Sequence, residues 1–168
     1  IPYATLHAKI GRGPKSLLVL AKIEGSRQFW LSADNAVLVI SNGRIVQTAG
    51  FPENLRGTKF IGIDPVNKGL HKPNVIRPSR RTIDVALDNR YSIPISSQYR
   101  LLGEREIKLL GVKINTLLVE ENNVATSINW QFKNFYWADK FDGFVWKSRQ
   151  YIARSFPPIE IEVLKPAN

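Results

Sequence analysis

Strand periodicity runs through almost the whole chain and limits its fold more than any other feature. Ala4, Leu6, Ala8 and Ile10 alternate with Thr5, His7 and Lys9, and Ile83, Val85 and Leu87 alternate with Thr82, Asp84 and Asp88. The same spacing recurs in Ile128, Trp130 and Phe132 against Asn129, Gln131 and Lys133, and in Ile159, Ile161 and Val163 against Glu160 and Glu162. A period of two puts successive side chains on opposite faces of a strand, whereas a helix needs apolar residues three to four apart.

Turn chemistry divides these runs. Asn42-Gly43 stands between segments 36–40 and 44–49, and Asn-Gly suits a two-residue hairpin because both turn positions need positive φ. Asp142-Gly143 plays the same part between 135–138 and 144–152. Gly11 to Pro14 and Gly25-Ser26 bracket 16–24, whose apolar stretch 17–21 predicts a strand buried on both faces. Residues 121–123 are expected to turn the chain between strands at 113–120 and 124–133, and single helical turns are expected at 52–55 and 65–70. With 168 residues, 43% of them hydrophobic, no internal repeat and no linker composition, residues 1–168 predict one domain. Its fold class is all-β, an antiparallel barrel-like or strongly curved sheet of about ten or eleven strands.

The charge is lopsided, with 24 Lys+Arg against 14 Asp+Glu for a net +10, and the excess lies in the first two thirds of the chain. Much of it gathers in 64–81, where Pro65, Pro73 and Pro78 interrupt strand pairing and Lys68, Lys72, Arg77, Arg80 and Arg81 accumulate. This segment predicts a long basic loop, either a solvated surface or a binder of phosphate, anionic sugar or lipid headgroups. Basic charge with 10% aromatics also raises a nucleic-acid binder with rings stacked on bases. Trp130, Phe132, Phe144 and Trp146, however, fall on the apolar side of alternating strands and are expected in the core, so no nucleic-acid partner is expected.

Catalytic chemistry finds little support. Cysteine is absent, which excludes disulfides, thiol catalysis and cysteine-ligated metals from this stretch, and His7 and His71 are too far apart for a local metal pair. No GxSxG, GxxxxGK[ST] or HExxH motif occurs. Asp139 with Asp142, and Glu160 with Glu162, are the possible carboxylate pairs for a polysaccharide-modifying enzyme. The first two share a hairpin loop and the second two one strand face, both ordinary surface placements. No catalytic residue, metal or cofactor is expected.

Three stretches together resemble the YjbF/GfcB-type lipoproteins of exopolysaccharide and group 4 capsule loci in Gram-negative bacteria. The first holds Ile1-Pro2-Tyr3-Ala4, Trp30-Leu31-Ser32-Ala33-Asp34, Asn42-Gly43-Arg44-Ile45-Val46-Gln47-Thr48, Gly50 and Asn54-Leu55. The second runs from Gly103-Glu104-Arg105-Glu106-Ile107 through Leu110-Gly111 to Leu117-Leu118-Val119-Glu120-Glu121. The third is the most specific: Asn134-Phe135-Tyr136-Trp137-Ala138-Asp139, then Asp142-Gly143-Phe144-Val145-Trp146-Lys147-Ser148-Arg149-Gln150, closing on Val163-Leu164-Lys165-Pro166.

The resemblance implies a β-barrel-like domain without known catalytic residues, anchored by an acylated N-terminal cysteine to the periplasmic face of the outer membrane. The absence of methionine and the opening at Ile1 agree with a signal, lipid-bearing cysteine and tether preceding this sequence. The implied role is that of an accessory factor in polysaccharide assembly or export, beside a periplasmic protein and an outer-membrane β-barrel protein. An acidic glycan is a further partner, with Lys72, Arg77, Arg80, Arg81, Lys147, Arg149 and Gln150 as candidate contacts. Lys147 and Arg149 would share one strand face as charge-assisted donors, and Trp137 and Trp146 would pack as a cross-strand pair. Two rival functions are a carrier shielding a lipid in an apolar cavity and the modifying enzyme above.

Overall fold

The computed structural model describes residues 3–86 and 89–168. Ile1, Pro2, Leu87 and Asp88, each part of a sequence pattern above, lie outside the described residues. Twelve strands form one antiparallel sheet: β1 Thr5–Ile10, β2 Lys15–Glu24, β3 Arg27–Ser32, β4 Val37–Ser41, β5 Arg44–Ala49, β6 Leu55–Ile61, β7 Ser79–Val85, β8 Arg90–Leu109, β9 Val112–Ala125, β10 Trp130–Asp139, β11 Val145–Gln150 and β12 Ile159–Lys165. The order across the sheet is β5-β4-β3-β2-β1-β12-β11-β10-β9-β8-β7-β6. The chain therefore starts mid-sheet, winds out to one edge, crosses to the other edge and winds back until β12 pairs with β1.

The sheet curls until its edge strands β5 and β6 approach each other, giving a nearly closed barrel. Among the described residues no ladder joins that seam, and side chains bridge it. Thr58 Oγ1 donates to the Val46 carbonyl (2.9 Å) and the Leu55 amide donates to Thr48 Oγ1 (3.0 Å). The carbonyl oxygen of the Asn54 side chain accepts from Thr48 and from the Phe51 amide, fixing the crossing turn. Residues 52–55 are thus a bend held by Asn54, not the expected helical turn.

The hairpin at Asn42-Gly43 forms as expected, with φ of 45° and 99° at its two positions. The turn expected at 121–123 does not exist. β9 runs unbroken through Glu121 and Asn123, whose side chains point inward with Val119 and Ala125, and the chain reverses at a 3-10 turn, Thr126–Ile128, with Asn129 left-handed. Polar residues that read as a turn are inner-wall residues with partners across the barrel. β2 also departs from expectation. Leu18 is buried, but Leu17, Val19 and Ile23 are exposed, because a curled sheet has one outer face and no second layer covers it here.

The segment expected as a long basic loop is partly a plug. After β6 the chain makes one helical turn, α1 Pro65–Lys68, and a 3-10 turn, Pro73–Val75, before β7 begins at Ser79. Val66 and Leu70 are fully buried with Val119, Tyr136, Ala138 and Val145, closing one end of the barrel. The larger apolar cluster, which includes Ile83, Ile95, Trp130, Phe132 and Ile159, fills the other end. At the plugged end the β8–β9 hairpin overshoots its neighbours, since β10 follows it only to Thr116, opposite Arg105. Residues 106–115 form a two-stranded arm with Leu110 and Val112 exposed.

Gly43 tests how tightly this end is packed. A Cβ there would fall 2.5 Å from the Val145 side chain, at a backbone angle L residues rarely adopt. Gly43→Ala is expected to cost about 2–4 kcal/mol in urea denaturation, against about 1 kcal/mol for Gly25→Ala. Gly25 has a positive φ but open space around it. Equal losses would show that the β4–β5 turn does not pack against β11.

A candidate site at the plugged end of the barrel

The inward residues of β7 to β11 explain the site. They read apolar at one end, Ile83, Ile95, Ala125 and Phe132 among them, then turn polar at one level of the barrel. That level holds Arg81, Ser97, Glu121, Asn123, Asn134 and Gln150, all buried. Arg44, the first residue of β5 after the Asn42-Gly43 turn, reaches into it from the opposite wall and is 2% exposed.

Arg44 grips two carboxylates. Its Nε and Nη2 donate to Asp64 (2.8 and 3.0 Å), and its Nη1 and Nη2 donate to the two oxygens of Glu121. Nη1 also reaches Tyr136 Oη at 3.2 Å, Nη2 reaches Tyr99 Oη at 3.3 Å, and the Phe60 ring lies 5.0 Å from the guanidinium carbon. Arg81 completes the charge balance, 3.8 Å from Glu121 and donating to Ser97 Oγ and Asn123 Oδ1. Two cations thus face two anions inside the barrel. Glu121 accepts also from Asn123 and Asn134, so the buried charges carry the hydrogen bonds that such charges require.

Burial would raise the Glu121 carboxyl, yet Arg44 and Arg81 hold it well below the usual carboxylate range. Burial likewise opposes the charge of Arg44, but Asp64 and Glu121 raise its affinity for the proton. For Arg81, burial and the Arg44 charge both lower it, and burial raises the Tyr136 phenol. Asp64 has a second task. Its side chain caps α1 by accepting from the Val66 amide at 3.0 Å, which ties the plug to the buried ion pair.

Above this network lies a cavity of about 390 Å³, between the plug, the Asn42-Gly43 turn, the β10–β11 turn and the inner faces of β1, β3 and β12. Its wall combines Trp30, Ile40, Val145 and Ile161 with Gln28, Asn42, Asn67, Lys68, Asp142 and Ser148. Phe144 stands at its rim, 36% exposed and edge-on to Trp146 at 4.6 Å. The centre of the barrel, by contrast, is full, the space between Arg44, Ile95, Phe132 and Gln150 amounting to about 10 Å³.

The seven residues proposed from sequence are not brought together. Arg81 and Gln150 are turned inward, where a ligand on the outer surface does not reach them. Gln150 donates to the Gly43 carbonyl and Ser148 and accepts from the Ile45 amide, stitching β5 to β11. Lys72 and Arg77 are exposed on the plug segment and Arg80 on the outer face of β7. Lys147 and Arg149 share the outer face of β11, separated from β7 by β10, β9 and β8. Lys147 is half-buried, 3.5 Å from Glu160 and 5.1 Å from the Trp137 ring, while Arg149 is exposed.

The expected Trp137–Trp146 pair does not form. A bulge places Lys147 opposite Trp137 and Val145 opposite Ala138, so Trp146 slips out of register and donates to Asp139 Oδ2. The same bulge leaves Phe144 on the surface, not in the core, whereas Trp130 and Phe132 are buried and stacked at 3.8 Å. The carboxylate pairs are engaged in structure. Asp139 accepts from the Phe141 and Asp142 amides, Asp142 from the Phe144 amide, and Glu162 meets Lys15 at 2.9 Å. Among the described residues no group of three or more His, Asp or Glu side chains could hold a metal ion. Sequence reasoning missed Arg44, Asp64 and Glu121. Its one available signal was phase, because Glu121 and Asn123 continue the alternation of Val119 and Ala125.

The depressed Glu121 carboxyl fixes a pH dependence. The unfolded chain takes up a proton near 4.5 while the folded chain does not, so this stabilisation is present above about pH 4.5 and is lost as pH falls toward the folded value. Urea midpoints are expected to stay level from about pH 5.5 to 8 and to fall steadily below that. Glu121→Gln should cost about 3–5 kcal/mol at neutral pH by leaving buried guanidinium charge uncompensated, and should flatten the acid limb. An acid limb equally steep in the variant would place the titrating group elsewhere.

Residues 1–164 match the family described as "Group 4 capsule polysaccharide lipoprotein gfcB, YjbF". The chain is 32% identical to the uncharacterized lipoprotein GfcB of Escherichia coli (strain K12), over 99% of its own length and 78% of that protein. Its identity to the uncharacterized lipoprotein YjbF of the same strain is 25%, over 99% of the chain and 77% of the relative. The crystal structure of the hypothetical lipoprotein YmcC from Escherichia coli (K12) superposes with a TM-score of 0.88 at 32% identity, covering 100% of this chain and 86% of that one. On a match that spans both the barrel and its plugged end, the chain belongs to the YjbF/GfcB family of group 4 capsule polysaccharide lipoproteins.

Proposed function

We propose that this barrel is the folded part of an outer-membrane lipoprotein, held on the periplasmic face by an N-terminal lipid, that assists capsule or exopolysaccharide assembly or export without catalysis. It works by contact with a periplasmic protein and an outer-membrane β-barrel protein of the same system, and by contact with an acidic glycan. The observation that carries this reading is the family match along the whole barrel. The net charge of +10 and the exposed Lys72, Arg77, Arg80 and Arg149 support the glycan contact. Against an enzyme stands the commitment of Asp139, Asp142, Glu160 and Glu162 to turns and cross-strand ion pairs. A lipid carrier would need a roomy apolar interior, and the centre of this barrel is packed.

The test is complementation of a deletion strain with the lipid-anchored protein. Wild type and the Asp139→Asn, Asp142→Asn double variant should both restore surface polysaccharide and both co-purify with the outer-membrane β-barrel protein. Loss of polysaccharide at normal protein level in the double variant would argue for catalysis. Failure of any envelope protein to co-purify would remove the accessory role. Neutralising Lys72, Arg77, Arg80 and Arg149 together should weaken low-salt binding to the cognate acidic polysaccharide about tenfold or more, with little change at high salt.

A further inference from the structure

The cavity at the plugged end has a chemistry that differs from the basic outer surface. Trp30, 2% exposed, lines it, and its indole N–H, closed off from solvent, meets no acceptor among the described residues. A buried donor in that state costs about 1–3 kcal/mol unless something supplies an acceptor. Gln28, two residues before Trp30 on the same face of β3, lines the same space. At the rim, the Asn42 amide donates to Asn67 Oδ1, which leaves the Asn42 oxygen and the Asn67 NH₂ available, and Asp142 uses one oxygen on the Phe144 amide. The wall therefore offers both donors and acceptors, beside apolar surface from Ile40, Val145 and Ile161 and the exposed ring of Phe144.

Each feature selects against the alternatives. An acyl chain has no use for two kinds of amide and an indole N–H at depth, and burying them against it would be unfavourable. An anion would find one cation, Lys68, opposed by Asp142 in the same wall. A sugar hydroxyl donates and accepts at once, and the C–H faces of a pyranose suit aliphatic and aromatic walls. The volume of about 390 Å³ is near the lower end of small-molecule pockets, roughly 300–1,000 Å³, which suits one or two rings and not a polymer segment.

We propose that this cavity is a saccharide site that takes one or two neutral, hydroxyl-rich sugar rings, with the Trp30 N–H and Gln28 amide as its deep hydrogen-bonding groups, Asn67 and Asn42 at the rim and Phe144 as the stacking edge. The proposal goes beyond the acidic-glycan contact above, because its ligand is a short neutral saccharide held inside the barrel end, and it stands or falls separately from that contact and from the cellular role because it is measured on the purified protein.

The experiment is a nitrogen–proton NMR titration of the full chain with N-acetylglucosamine, galactose, glucuronate and decanoate in turn. The four indole signals are assigned by single Trp→Phe variants. Neutral sugar should shift the Trp30 indole and the Gln28 and Asn67 side-chain amides saturably, with a dissociation constant of about 1 mM, and leave the Trp130 indole unmoved. Gln28→Ala and Asn67→Ala, both at the cavity wall and outside the main apolar cluster, should keep the folded spectrum and weaken binding at least fivefold. Shifts with decanoate or glucuronate but not with neutral sugar would overturn the proposal in favour of a lipid or an anion. No shift at the Trp30 indole with any probe, or sugar affinity unchanged in both variants, would overturn it outright.

Discussion

Everything at the plugged end depends on one guanidinium held between two carboxylates. Arg44 spends its donors bidentately on Asp64 and Glu121, which belong to the plug and to the far wall of the barrel. A buried ion pair is a weak source of net stability, because desolvation consumes most of the Coulomb gain. Its consequence is specificity: with Arg44 in place, the plug and β9 each have one position that leaves no charge uncompensated. The alternatives bury a bare carboxylate or a bare guanidinium, at a cost comparable with a large part of a domain's total stability.

That constraint reaches the sheet through register. A one-residue slip of β9 would turn Val119, Glu121, Asn123 and Ala125 outward and bring Glu120 and Asn122 inside. Glu120 is already satisfied on the outer face by Lys133 and Arg100, and its hydrogen bond from Lys133 lowers its proton affinity there. Neighbouring glutamates therefore lock the strand from both sides, one inside against arginine and one outside against lysine and arginine. Closure of the barrel follows the same pattern. Where the backbone ladder stops at the β5–β6 seam, Thr48, Asn54 and Thr58 supply the hydrogen bonds that a twelfth pairing would otherwise have made.

Legibility of the sequence follows from which forces are local. The Asn42-Gly43 hairpin, the inward Trp130 and Phe132 and the outward Lys147 and Arg149 come from turn stereochemistry and period two, and these were readable. Two departures share a cause, the assumption that apolar residues face in and polar ones face out. Glu121 and Asn123 read as a turn because their partners, Arg44 for the first and Arg81 and Ser97 for the second, are far away in sequence. Leu17 and Val19 read as a buried strand, though the curled sheet leaves their face uncovered. Trp146 read as the partner of Trp137 because a single bulge, invisible in composition, shifts the register between them. The family resemblance was legible over the whole length, but it carried no information on where the interior turns polar.

The polar level also explains why a cavity of mixed polarity sits at the plugged end. In a barrel with an apolar interior throughout, Val66 and Leu70 would seal the plugged end against hydrocarbon, and a space of that size would collapse or cost stability. Here the plug is drawn toward Arg44 by Asp64, which fixes the height of α1 above the sheet. Packing of Val145 on Gly43 fixes the height of the β10–β11 turn on the other side. The space left between these two held segments is set by the ion pair and by a glycine contact, and the amides of Gln28, Asn42 and Asn67 border it. Changes at Arg44 or Asp64 would therefore act on any ligand in the cavity through the position of the plug, without touching the ligand.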